Sequence, residues 1–388
     1  MFKSFDQTFK FCTLAMAIAL IYPNKNNIKK RLLCFGLLII SNLIQLYWFI
    51  VNIFESLIRL DMANITRHIT VAIIVILFLF KTVYCICYGE KLGNLLNTIS
   101  NDMIEANDKE EDFKNVMEKY IKKAKIGEIV WTILPGFLAM QYPLFAAICL
   151  IYDNITADYP QRYMVHEVEV PHLSNVQDDS PYFEFIFVMS LYTVMCLIPN
   201  FIGLEGFFCI STTHMCVKLK YVSCTIQKAF NDTTTSFELH NKIRDAIKRH
   251  QEALQFYEDL QNFFEPWLFA IFIMTSTCLS FNLYQISTLT SFDPKYVTFC
   301  ITIVMHTYIT CIFSSNLTQC AEEMTMDLYN APWENRSDVI ATKYLIFMIA
   351  KAQHSLQLGG YGVVVYNMEL FVSIMKTSYS FYTLITSK

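Results

Sequence analysis

Near the end of the chain, residues 362–386 (GVVVYNMELFVSIMKTSYSFYTLIT) set Ser373, Lys376, Thr377, Ser378, Tyr379, Ser380, Tyr382 and Thr383 into an otherwise apolar segment. About 25 residues at ~1.5 Å rise cross a ~30 Å hydrocarbon core. Hydroxyls and a cation at that depth cost free energy unless they face protein or water. Two readings meet the demand: the wall of a pore or cavity, or an interhelical face held by hydroxyl hydrogen bonds. On a 3.6-residue wheel Thr377, Ser380, Leu384 and Lys388 share one stripe. Hydroxyls on such a stripe hydrate passing cations, and Leu384 closes a pore by dewetting where several copies meet. The plainer reading has Leu384 packing on a neighbouring helix. Lys376 sits ~80° from Leu384 on the wheel. It is expected to face protein or water away from the ions, because a cation ring defeats a cation pore. Glu369, seven residues back, is a distant partner.

Other residues with chemical potential are sparse. Lys81 stands alone in an apolar run, and Glu205 ends another. His166 and His172 lie beside Glu167 and Glu169, but the spacing matches no metal motif. Most of the thirteen cysteines are scattered through apolar runs, and Cys85 and Cys87 are separated by one residue. They read as small packing residues rather than a disulfide framework or a metal site. No enzyme, cofactor or nucleic-acid partner is expected.

The elements that position these residues follow from hydropathy. The chain has 388 residues, 54% hydrophobic and 16% charged, with mean hydropathy +0.36. Soluble domains carry about 25% charged residues. Long apolar runs predict an all-α polytopic membrane protein with seven spans, at 32–54, 69–88, 126–152, 182–212, 267–290, 295–317 and 362–386. The run at 11–22 is short and lacks a cleavage site, so it reads as an interfacial helix, not a signal peptide. Residues 55–68 read as a short loop. Pro135-Gly136 and Pro143 are expected to interrupt the third span, and Pro266 to open the fifth. Ser291-Phe292-Asp293-Pro294 reads as a tight turn. Residues 89–125 and 213–262 are charged, with helical apolar spacing. Residues 341–357 are helical and moderately apolar, and Gly359-Gly360 breaks them from the final span. Three units follow: a six-span bundle at 1–317, an anchor segment at 318–357, and the last helix at 358–388.

Loop charge sets the orientation. Of the lysines and arginines in loops, 23 fall on the side of the N-terminus and four on the other. The positive-inside rule then places the N-terminus in the cytoplasm and, after seven spans, the C-terminus outside. Sequons at Asn64 and Asn154 fall on the outer side and are glycosylation candidates. Those at Asn231, Asn316 and Asn335 fall inside and are expected to be silent. A G-protein-coupled receptor has the opposite orientation, and its Asp-Arg-Tyr and Asn-Pro-x-x-Tyr signatures are absent.

Three stretches carry a family resemblance. They are Leu328-Tyr329-Asn330-Ala331-Pro332-Trp333; Lys343 to Gln353 followed by Leu356 and Gly359-Gly360; and Phe371, Ile374-Met375-Lys376, Ser378-Tyr379-Ser380-Phe381 and Thr383-Leu384. They resemble the C-terminal region of insect odorant receptors. The resemblance implies a ligand-gated, non-selective cation channel of four subunits in the plasma membrane of a sensory dendrite. The last helix of each subunit lines the pore, and ligand-binding subunits assemble with a shared co-receptor. This chain resembles the ligand-binding type.

The resemblance also implies a volatile odorant site in the outer half, between spans two, three, four and six. Ile73, Leu77, Met140, Phe145, Met189, Tyr192, Phe299, Ile303 and His306 are the candidates there, with ordinary core packing as the alternative. Such a pocket holds apolar ligands by burial, at ~25 cal/mol per Å². The cytoplasmic helices, with charged faces and apolar stripes, read as an intersubunit anchor in which Tyr329 and Trp333 are the expected buried contacts. Four copies of Lys388 at an outer mouth repel cations, which favours a heteromer. A gustatory-type channel subunit, a receptor signalling without conduction, and a transporter are the competing classes. The absence of an internal repeat weighs against the last.

Overall fold

The computed structural model describes residues 1–23, 28–156, 161–166, 168–171, 173–288, 294–336 and 338–386. In chain order its helices are α1 (Phe5–Thr8), α2 (Lys10–Ile18), α3 (Ile28–Ile58), α4 (Met62–Cys87), α5 (Gly89–Glu105), α6 (Glu111–Thr156), α7 (Tyr182–Asp232), α8 (Ser236–Thr288), α9 (Pro294–Tyr329), α10 (Val339–Ala352) and α11 (Met368–Thr386). Among the described residues, six of these (α3, α4, α6, α7, α8 and α9) are long and apolar enough to cross a membrane. The seventh, α11, has 19 residues, or ~28 Å at ~1.5 Å per residue. The protein is therefore all-α and polytopic, with its last element split into α10 and α11.

The helices are longer and less interrupted than the hydropathy suggests. α6, α7 and α8 run 46, 51 and 53 residues without a break, more than twice the length a bilayer needs. Pro135, Pro143, Pro199 and Pro266 all lie inside them. Each proline deletes one ladder hydrogen bond, but a rod packed along its length keeps its course. The segment at 55–68 is not a loop: α3 ends at Ile58 and α4 begins at Met62, where the Asp61 side chain accepts from the Asn64 amide at 3.1 Å. That cap satisfies an orphan donor of the first turn. The charged stretch 89–125 is not one helix continuing from α4. It is α5, a 3-10 turn at Ala106–Asp108, and the start of α6. The tight turn expected around 291–293 falls outside the described residues.

The core is built on α7. From Asn200 to Val217 nearly every side chain is buried, polar ones included, as for a helix surrounded on all sides. α2, α6, α8 and α9 pack against it. The N-terminal helix is one of these packing elements, with Phe11, Leu14 and Ile18 exposed on its other face. Phe5, Phe9, Cys12 and Met16 are all buried in the main core. Glu128 of α6 accepts from the Cys12 amide at 3.0 Å, capping the start of α2 from across the bundle. α2 also lies directly on Gly203 of α7: a Cβ there would stand 3.1 Å from the Met16 backbone nitrogen.

The last helix begins at Met368, six residues later than expected. Before it, Gly359–Gly360 (β1) and Val364–Val365 (β2) form a two-stranded hairpin. A Cβ on Gly360 would meet the Phe269 backbone of α8 at 2.9 Å, and Gly362 turns at φ +66°. The hairpin thus uses glycine to press the chain onto α8 and reverse it.

Candidate functional site

Five helices each turn an apolar stripe toward one cavity. Ile73 and Leu77 come from α4; Trp131, Leu134 and Leu138 from α6; Val194, Leu197, Ile198 and Phe201 from α7; Ile271, Met274 and Cys278 from α8; Phe299, Ile303 and His306 from α9. Most steps within each stripe are three or four residues, so each stripe is one helix face. Where the five meet, a cavity of 270 Å³ is left unfilled. Its walls are mostly aromatic and aliphatic, with Thr70, Thr275, Thr302, Asn282, Tyr142 and Tyr296 as neutral polar groups and Arg67 and Lys295 as cations on the lining.

One end of the cavity rests on a buried ion pair. Lys81 of α4 donates to Glu205 of α7, with side chains 0% and 1% exposed. Two cavity-lining residues hold this pair. The Phe201 ring centroid lies 3.7 Å from Lys81 Nζ, and His306 Nε2 stands 3.5 Å from Glu205 Oε1. Trp131 stacks edge-on to His306 at 5.1 Å and donates its indole N–H to Cys209 Sγ at 3.2 Å. The loop 161–166 lies across another part of the wall, bringing Met164, Val165 and His166 to the cavity. Burial, and then the neighbouring His68 ring and the Arg67 and Lys295 cations, push His166 down to about 3. It is therefore neutral at physiological pH.

The walls also touch the last helix. Cys278, Phe299 and Ile303 form a packed cluster that includes Met375 of α11. Tyr308 of α9 stacks on Phe371 at 5.6 Å, and Ser378 donates to the Ser276 carbonyl of α8 at 3.4 Å. α11 docks through Ile374 and Ser378, four residues apart and both buried. Thr377, Ser380 and Leu384 are left on the outward face, with Leu384 63% exposed. Lys376 is also exposed. Lys388 lies outside the described residues.

Of the nine cavity residues expected from the sequence, Ile73, Leu77, Phe299, Ile303 and His306 line the cavity. Met140, Phe145, Met189 and Tyr192 do not. Met140 is one step past Ala139 and Tyr192 two before Val194, which turns both to the outer surface. Phe145 is also exposed and takes Lys295 over its ring at 4.3 Å. Met189 is half-buried, off the cavity. The stripes on α6 and α7 that do line it, and the whole contribution of α8, were not anticipated. Spacing by three and four from Trp131 marks the α6 stripe; nothing in the sequence marks the loop residue His166.

The remaining expected residues have plain locations. Tyr329 and Trp333, expected as buried contacts between subunits, are exposed on the single chain, where Trp333 donates to the Tyr329 carbonyl at 3.3 Å. Asn64 sits in the first turn of α4 with its amide donating to Asp61 at 2.7 Å, while Thr66 of the same sequon is fully buried. Asn154 is exposed in the last turn of α6. Among the described residues no cluster of His, Cys, Asp and Glu is arranged to hold a metal, and every cysteine is a free thiol. His172 and Glu167 are not described.

Known proteins share this pattern. A family model described as 7tm odorant receptor matches residues 61–379. Odorant receptor 47a of Drosophila melanogaster is 24% identical over 209 residues, covering 52% of this chain and 53% of that protein. The chain thus matches about half the length of that relative. Odorant receptor Or2 of Anopheles gambiae is 20% identical over 297 residues, 72% of each. The insect olfactory receptor OR5 of Machilis hrabei, solved in complex with eugenol, superposes with TM-score 0.78 at 15% identity over 98% of both chains. Its structure without that ligand gives 0.77 over 98% of this chain and 97% of that one. At such identity the likeness concerns the fold.

Proposed function

This chain belongs to the 7tm odorant receptor family, and from that premise we propose that it is a ligand-sensing subunit of an odour-gated, non-selective cation channel. The observation that carries the proposal is the shared packing of cavity and last helix. Cys278, Phe299 and Ile303 face the cavity and belong to the buried cluster against which Met375 of α11 packs. A ligand that fills 270 Å³ pushes on those same side chains. Packed interiors transmit such displacements because they deform little. Movement of α8 and α9 then carries α11 with them.

The ligand is a small, volatile, largely apolar molecule. Most of the wall is apolar area to bury, at ~25 cal/mol per Å², and the polar groups on it can orient one hydroxyl or carbonyl of the ligand. A relative that matches the fold is named with eugenol bound, a molecule of that kind. Four α11 helices surround the pore, with Thr377 and Ser380 hydrating cations and Leu384 as the constriction. Their exposure in the single chain fits a surface that other subunits cover. The partner subunits include an odorant receptor co-receptor, and α10 with Tyr329 and Trp333 contributes to the contact with them. The N-terminus is cytoplasmic and the protein sits in the plasma membrane, as the distribution of Lys and Arg favours.

The test is whole-cell current from cells expressing this chain with and without the co-receptor, against a panel of volatiles. Odour-evoked, weakly cation-selective current is expected with the co-receptor. Ile303→Trp, which fills the cavity, is expected to abolish it, and Tyr192→Ala, off the cavity, to leave it intact. Equal loss from both variants at equal surface expression refutes the cavity assignment.

A further inference from the structure

A second cleft lies on the same three helices, further along each. It occupies 410 Å³ between α6, α7 and α9. α6 contributes Lys119, Tyr120, Lys123 and Ile126; α7 contributes Thr213, Cys216 and Lys220; α9 contributes Asn316, Gln319 and Glu323 among others. The odour cavity meets α6 at Trp131, α7 at Phe201 and α9 at His306. At the nearest approach, steps of five to twelve residues separate the two, or ~8–18 Å of helix. The cleft therefore sits toward the end of the bundle that carries the excess of basic residues, the cytoplasmic end in the orientation proposed above.

Its chemistry differs from that of the odour cavity. Three lysines converge on it, spaced at 119 and 123 on α6 and facing 220 on α7. Lys220 is neutralised by Glu323 at 2.9 Å and Asp327 at 3.3 Å. Lys119 and Lys123 enter no ion pair among the described residues, and the neighbouring Lys122 instead pairs with Glu118 at 2.7 Å. Lys123 lies 5.2 Å from the Tyr120 ring centroid. At its apolar edge the cleft is closed by a tight approach. Ile126 and Phe313 line it, and Gly127 lets α6 come so near that a Cβ would stand 3.0 Å from the Phe313 ring and 2.9 Å from Cys209. The result is a recess with a basic rim, hydrogen-bonding side chains and an apolar wall.

We propose that this cleft binds a phosphomonoester group, as carried by a phosphorylated inositol headgroup. Lysine ammoniums hold phosphate as point charges, and a phosphomonoester brings about two negative charges to Lys119 and Lys123, which enter no ion pair within 4 Å among the described residues. Basic recesses between membrane helices at the cytoplasmic side suit such headgroups. The same group occurs on free inositol phosphates. The apolar wall of Ile126 and Phe313 favours the lipid, whose acyl chains it would meet. Because α6, α7 and α9 frame both cavities, occupancy here biases the arrangement of the helices that receive odour.

The test is direct binding to the purified full chain in detergent, which depends neither on odour gating nor on the orientation. Native mass spectrometry is run with dioctanoyl phosphatidylinositol bisphosphate, dioctanoyl phosphatidylserine and inositol trisphosphate. Saturable binding of the bisphosphate lipid is expected, with serine lipid much weaker. Lys119→Gln with Lys123→Gln is expected to weaken it roughly tenfold to thirtyfold, at ~1 kcal/mol per charge. Lys122→Gln with Lys125→Gln removes the same charge outside the cleft and is expected to leave it nearly unchanged. Equal binding of inositol trisphosphate supports the cleft with a soluble occupant. Equal losses from the two double variants, serine lipid binding as tightly, or no binding at all overturns the proposal.

Discussion

Separating Lys81 from Glu205 gives the sharpest measure of what holds this bundle together. The pair is fully enclosed, at 0% and 1% side-chain exposure, so the small values of surface ion pairs do not apply. Removing one partner from a buried pair leaves an uncompensated charge and costs ~3–5 kcal/mol. The two halves are not equivalent. Without Glu205, Lys81 still faces the Phe201 ring at 3.7 Å, and a desolvated cation–π contact contributes ~2 kcal/mol. Without Lys81, the Glu205 carboxylate keeps only the long 3.5 Å contact with His306. Lys81→Met is therefore expected to cost more than Glu205→Gln, by ~1–2 kcal/mol. Lys81→Met combined with Glu205→Met fills the site with apolar groups and is expected to recover most of the loss. The assay is a thermal melt of the purified protein read by size-exclusion profile after heating, run as a double-mutant cycle. Refutation is a Glu205→Gln loss below ~1 kcal/mol, or a double variant as unstable as the two single variants summed.

Three further outcomes are expected. Leu384→Ser is expected to raise odour-independent current in cells expressing the chain with a co-receptor, since a polar ring no longer dewets the constriction; unchanged holding current at equal surface expression counts against Leu384 as the gate. Gly203→Ala is expected to lower thermal stability by ~1–3 kcal/mol, because its Cβ would stand 3.1 Å from the Met16 backbone nitrogen; Met16→Ala in the same chain should not restore it, as the backbone contact remains. Asp338 caps α10, and the Ala341 amide and then His240 hold its carboxyl down at about 2. A carboxyl depressed in the folded state stabilises above its unfolded pKa of ~3.9 and loses that contribution as pH falls toward about 2. Asp338→Asn is expected to flatten the stability profile across that acidic window, measured by the same melt.

Part of the cavity lining was legible through the family resemblance, which implies a site between spans two, three, four and six: Ile73 and Leu77 on α4, and Phe299, Ile303 and His306 on α9, line the cavity. The errors share a cause. Met140 and Tyr192 have the same apolar or aromatic character as Leu138 and Phe201, yet one pair faces outward and the other lines the cavity. In water, polarity separates an inner face from an outer one. In a bilayer both faces are apolar, so the sequence carries no such contrast. The packing of α2 on the bundle was also not legible in its short apolar run; the Gly203 approach and the Glu128 cap show it.

What the sequence by itself determined is the chemistry that composition and order encode: a helical membrane protein, the approximate spans, the charge asymmetry across them and a hydroxyl-rich last helix. These are local or additive properties, and hydropathy and spacing report them directly; the family rested on the resemblance of three C-terminal stretches. What only the tertiary structure decided is partnership. Lys81 and Glu205 are separated by 124 residues and find each other only when α4 crosses α7. The cavity exists because five stripes from distant segments converge and leave space. Met375 packs against the cluster that includes cavity-wall residues because a glycine hairpin turns α11 back onto α8 and α9. Each is a long-range packing outcome, set by which faces meet, and inside a membrane that choice is made by shape and by the few buried polar groups.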